Sequence, residues 1–166
     1  MCIICFWLNR EIRNYIMVVN VKYIQLEDVF QTLQGKWRID RQIVPGGMFS
    51  GDAVFMLVSK TRYDYRERGT LTTDQGDVIS DVLRAYSYEM HGDDICVFYA
   101  DGGDSGKLFH KISLDCHSCA QAEHLCKDDL YISRYDFSEM PKFFTLEHIV
   151  TGPKKDYVSK SFFTRG

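Results

Sequence analysis

The 166-residue chain has little proline, little net charge and no long apolar run. With only 3 prolines, it is neither a collagen-like chain nor a proline-rich linker. A formal charge of −3 is far from the basic footprint of a nucleic-acid binder, so no nucleic acid is expected as a partner. The apolar run near the start, residues 2–8 (CIICFWL), is far short of the ~20 residues a membrane span needs. It also lacks a basic flank and a small-residue cleavage site, so it reads poorly as an export signal. The 6 cysteines are then expected as reduced thiols in the cytoplasm rather than as a disulfide frame. Arg10 and Arg13 suit an organelle leader, but Glu11 counts against one. Met17 is a candidate true start, which would make the preceding residues an extension. No nucleophile elbow, catalytic base pair or metal signature is present, so no catalytic residue is assigned and no cofactor is identified.

What is present is a globular balance of 45% hydrophobic and 26% charged residues, enough for one domain with a real core. With 11 Phe and 10 Tyr, that core is expected to be aromatic. Residues 1–24 read as an N-terminal extension and 25–166 as the domain. Residues 25–34 (QLEDVFQTLQ) predict a short helix, because Leu26, Val29, Phe30 and Leu33 recur at helical spacing before Gly35. After Gly35 the period changes to two. Strands are predicted at 36–44, 51–58, 63–72, 78–90, 95–100, 107–114, 122–135, 143–151 and 156–164, the seventh long and bulged. Glycine-rich and aspartate-rich turns separate them. The expected fold is all-β, an antiparallel up-and-down barrel of eight to ten strands with a short N-terminal helix plugging one end.

Alternation directs polar residues inward. Trp37 and Ile39 must face the core, so Arg41 shares their face. Tyr65 and Glu67 share one face of the third strand. Arg84, Tyr86 and Tyr88 share one of the fourth, and His110 lies between Leu108 and Ile112 on the sixth. Buried charges must be paired or meet a ligand. Arg41, Glu67 and Arg84 are therefore expected either to neutralise one another in a closed structural network or to bind something, unless a bulge turns some of them to solvent. Cys116, Cys119, His124 and Cys126 supply four soft ligands, but one residue between His124 and Cys126 suits strand alternation better than a tetrahedral site, so no zinc is expected. Gly102, Gly103 and Gly106 precede a strand rather than a helix and read as a flexible hairpin tip, not a phosphate loop. The turn Gly152-Pro153-Lys154-Lys155-Asp156-Tyr157 aims two lysines, an acid and a tyrosine at one barrel rim.

Leu33-Gln34-Gly35-Lys36-Trp37, a short helix running into Gly-x-Trp, resembles the opening of the lipocalin (calycin) superfamily. The resemblance implies that Trp37 closes one barrel end beneath a basic residue near the last strand, Arg165 or Lys160. Further blocks are similar to an uncharacterised lipocalin-like family with a Gly-Pro-x-Lys-Asp-Tyr signature. They are Gly51-x-Ala53-x-Phe55, Tyr65-x-Glu67-x-Gly69, Arg84-x-Tyr86, Ala100-Asp101-Gly102, Phe109-His110, His124-x-Cys126-x-x-Asp129-x-Tyr131 and the 152–157 turn. The Gly-Gly-Asp-Ser-Gly stretch after Asp101 departs from the pattern, as do the first thirty residues. The resemblance implies a fold and brings no activity with it.

The leading expectation is a small-molecule-binding barrel. Its aromatic-lined pocket would contain Arg41, Tyr65, Glu67, Arg84, Tyr86, His110, His124, Lys155 and Tyr157, suited to an anionic or carbonyl-bearing ligand. The alternatives are a barrel isomerase, cyclase or hydrolase using His110 with Glu67 or Tyr86, and a non-catalytic subunit docked on a protein partner through residues 2–8. His110 or His124 could ligate a haem, though no motif requires one.

Overall fold

The computed structural model describes residues 24–115 and 118–166. Residues 2–8, Met17 and Cys116, on which several expectations rest, lie outside them. A helix α1 (Leu26–Leu33) is followed by ten antiparallel strands. These are β1 (Gly35–Val44), β2 (Gly47–Ser59), β3 (Arg62–Thr73), β4 (Val78–His91), β5 (Asp94–Tyr99), β6 (Leu108–Ile112), β7 (Cys119–Cys126), β8 (Asp129–Asp136), β9 (Phe143–Thr151) and β10 (Asp156–Thr164). They form one sheet in the order β6-β5-β4-β3-β2-β1-β10-β9-β8-β7. Every ladder joins strands adjacent in sequence except β1 with β10, which brings the two ends of the chain together. The sheet curls until β6 and β7 meet without a hydrogen-bonded ladder. Side chains close that seam. Phe109 packs edge-on to His124 with centroids 5.3 Å apart, and His110 Nε2 lies 2.8 Å from the Tyr135 hydroxyl on β8.

Two strand expectations need correction. The predicted strand at 122–135 is two strands, because Lys127 adopts φ 58° and reverses the chain between β7 and β8. The expected face of Leu108, His110 and Ile112 is broken by a bulge, since the register against β5 jumps between Val97 and Phe98. Phe109 is the extra residue. It points inward with His110, and Leu108 is exposed.

The core sits at the α1 end. Val29, Phe30 and Leu33 bury one helix face against the barrel. The Trp37 indole N–H donates to the Leu33 carbonyl at 2.8 Å. The Arg165 guanidinium lies 4.1 Å from the Trp37 ring centroid and donates to the Thr32 carbonyl. Arg165 thus takes the position expected of a basic residue near the last strand, while Lys160 lies over Phe162. Gly35 serves this corner twice. Its φ is +105°, and a Cβ there would stand 2.9 Å from Arg165 Nη1.

Candidate functional site

The register explains the polar interior. On the inner face, Phe55 is opposite Tyr65, Ala53 opposite Glu67 and Gly51 opposite Gly69. Arg41 is opposite Phe49, so Gly51 lies between Arg41 on β1 and Glu67 on β3. A Cβ on Gly51 would come within 2.6 Å of Gly69 Cα. Arg41 reaches across β2 and forms a bidentate pair with Glu67, both N···O distances being 2.7 Å. Its Nε donates to Ser161 Oγ at 2.7 Å, and Tyr65 donates to Glu67 Oε2 at 2.5 Å. Glu67 is buried and Arg41 nearly so. Burial alone would lower the Arg41 pKa, but the Glu67 carboxylate outweighs it and raises the value.

Arg84 is directly opposite Glu67 on β4, yet it does not pair with it. It is exposed, and among the described residues its one hydrogen bond is to the Leu83 carbonyl at 3.4 Å. The expected three-way neutralisation is therefore a two-way one, because Arg41 already occupies both Glu67 oxygens. Arg84 instead borders the mouth of a cavity of about 440 Å³.

That cavity has Arg41, Glu67, Tyr65 and His148 in its wall, a rim of Lys155, Tyr157 and the loop at 101–104, and rings of Tyr86, Tyr99, Phe109 and Tyr131 between. Tyr86 and Phe109 stack at 17° with centroids 5.8 Å apart. Burial, then the nearby Glu67 charge, pushes the Tyr86 phenol up to about 12. At the rim, Lys155 donates to the Tyr131 hydroxyl at 2.7 Å and stands 3.5 Å from Asp129 Oδ2. The hydrogen bond to Tyr131 raises the Lys155 pKa. Gly152 packs on Asp129, where a Cβ would strike the carboxylate. The loop at Gly102–Asp104 is a single 3-10 turn at the mouth.

The histidines divide. His110 is buried and bonds Tyr135, not Glu67 or Tyr86, and its Nδ1 has no hydrogen-bond partner. Burial, then His148 and His124, lowers it to about 3, so the ring is neutral. His124 stands in the seam among Tyr99, Phe109 and Tyr131, and burial lowers its pKa. His148, which the sequence reading did not single out, faces the cavity. Its Nδ1 is 2.8 Å from Ser133 Oγ, and burial, then Arg41, lowers it to about 4. The signal for it was available, since His148 alternates with the apolar Phe144, Leu146 and Val150 along β9. Tyr99 was legible in the same way, since it alternates with Ile95 and Val97 along β5.

Cys119 and Cys126 stand at opposite ends of β7, about 23 Å apart at the usual ~3.3 Å rise per residue. They cannot share one metal ion. Among the described residues, no three His, Cys, Asp or Glu side chains are grouped to hold a metal, and no helix is long and apolar enough to cross a membrane.

Fold and cavity together define a calycin-like meander barrel, plugged by a helix at one end and open at the other. The chain belongs to DUF6314, a family of unknown function, whose pattern it matches over residues 33–165. Among solved structures it is similar to the S-type phycobiliprotein lyase CPES from Guillardia theta. Identity is 12%, the TM-score is 0.62, and the match covers 86% of this chain and 93% of that one. The redesigned β-barrel mFAP0 bound to DFHBI is less similar, at 14% identity and a TM-score of 0.47 over 81% of this chain and 100% of that one. A search of curated proteins finds no match.

Proposed function

We propose that the chain is a small-molecule-binding barrel that takes an anionic or carbonyl-bearing ligand into the aromatic cavity above the Arg41–Glu67 pair. The observation that carries this reading is a surplus of donors. A guanidinium has five N–H groups. Arg41, part of the cavity wall, commits one to Ser161 and two to Glu67, which leaves two uncommitted. The Tyr86 hydroxyl has no hydrogen-bond partner among the described residues, and Arg84 has only its own strand's carbonyl. Glu67 already accepts three hydrogen bonds. Such a wall suits oxygen acceptors on a molecule flat enough to lie between tyrosine rings. The likeness in fold to a phycobiliprotein lyase agrees with a barrel that handles an organic molecule. The pairing of His110 with Tyr135 favours a structural role for that histidine over general-base catalysis.

Native mass spectrometry of protein isolated from its own source tests the proposal. One organic molecule per chain is expected, lost in Tyr86→Ala while the circular dichroism spectrum is retained. Source protein free of any such molecule, together with no binding of 1-anilinonaphthalene-8-sulfonate, an anionic aromatic probe, would overturn it.

A further inference from the structure

The deep end of the cavity is rich in donors but electrically closed. Arg41 and Glu67 cancel one another at 2.7 Å, and His148 is neutral at pH 7. Tyr65 spends its proton on Glu67. The Ser133 hydroxyl shares a hydrogen bond with His148 Nδ1. His148 is part of the cavity wall. The deep wall therefore holds a guanidinium with two uncommitted N–H groups and a neutral imidazole, with no net charge to match an anion. Arg84, which forms no ion pair among the described residues, is exposed at the mouth, which Asp101 also lines.

From this arrangement, and resting on the binding function proposed above, we infer that the buried end of the ligand is an uncharged carbonyl, as in a ketone, amide, lactam or quinone, and that Glu67 excludes carboxylates from this subsite. A neutral carbonyl oxygen has two lone pairs and accepts from Arg41 without adding charge. A carboxylate in the same place would share a low-dielectric site with Glu67, and Arg41 cannot neutralise both. Any negative charge on the ligand belongs at the mouth, beside Arg84. Glu67 is thus the residue that determines specificity. It turns a guanidinium, ordinarily a receptor for anions, into a neutral donor pair.

Three probes of one shape decide the matter: naphthalene, 2-acetylnaphthalene and 2-naphthoate, each titrated into the full chain at pH 7 by calorimetry. Wild type should bind 2-acetylnaphthalene at least about tenfold more tightly than either of the others. Glu67→Gln, which frees the Arg41 charge, should reverse the order in favour of 2-naphthoate. If Glu67→Gln does not fold, the double variant Arg41→Met/Glu67→Met replaces the pair with apolar side chains. It should then bind 2-acetylnaphthalene and naphthalene alike. A wild-type preference for 2-naphthoate would overturn the inference and leave the binding function standing, as would a preference for 2-acetylnaphthalene that the double variant keeps. If none of the three probes binds wild type, the binding function itself fails.

Discussion

Replacing Arg41 with methionine isolates the energetics of the inner pair. Glu67 keeps only 1% of its side chain exposed, and Arg41 18%. The variant leaves a carboxylate in the barrel interior with the Tyr65 hydroxyl as its remaining donor. Removing one member of a buried pair costs about 3–5 kcal/mol. For a domain of this size 1 kcal/mol corresponds to about 2–4 °C in Tm, so a fall of roughly 6–20 °C is expected. Arg84→Met is the control. Arg84 is exposed and makes one long hydrogen bond, so its loss should stay within about 0.5 kcal/mol. Arg41→Met/Glu67→Met should recover most of the stability, because it removes the stranded charge. Thermal melts of the three proteins by circular dichroism make the comparison. An Arg41→Met protein melting within about 2 °C of wild type, or an Arg84→Met protein falling as far as Arg41→Met, would refute the pairing described.

Two further outcomes follow from groups elsewhere in the barrel. His110 and His148 are buried neutral, with pKa lowered to about 3 and about 4, whereas an unfolded histidine titrates near 6.5. Between those values the unfolded chain binds more protons, so the stability they contribute is full above pH 6.5 and is lost as pH falls through that window. Each loses about 1.4 kcal/mol per pH unit there, and urea midpoints that stay level from pH 7 to pH 5 would contradict their burial. Gly35→Ala should destabilise the closed end by about 1–3 kcal/mol, because it combines a positive φ with a clash at Arg165. Trp37 fluorescence should shift to the red as the cap loosens, and an unchanged spectrum with unchanged stability would count against this packing.

Period and turn chemistry make most of the barrel legible. The switch at Gly35, the alternation on β1 and the glycine-rich turns fix strand type and direction without a tertiary model. They also place Arg41, Tyr65, Glu67 and Tyr86 on one interior. Two features escape them. Lys127 is an ordinary lysine forced into a left-handed turn, and no glycine or proline announces it, so β7 and β8 read as one strand. The bulge at Phe109 is equally silent, because every residue of Leu108–Ile112 except His110 and Lys111 is apolar and either face could be the inner one.

Partner choice within the interior was illegible for a different reason. Alternation says which way a side chain points, not how far it reaches. Arg84 is the direct neighbour of Glu67 across the β3–β4 ladder, and pairing by adjacency would join them. Arg41 wins from two strands away because Gly51 and Ala53 leave the intervening inner face low and because a guanidinium can engage both carboxylate oxygens at once. Small residues on β2 thus select the ion pair between β1 and β3, and that selection leaves Arg84 unmatched at the mouth. Gly51→Val should therefore do more than strain the β2–β3 crossing, where a Cβ meets the Arg68 carbonyl. It should also push Arg41 off Glu67. The glycine and the salt bridge form one device, visible in the sequence only as two small residues, Gly51 and Ala53, at alternate positions of β2.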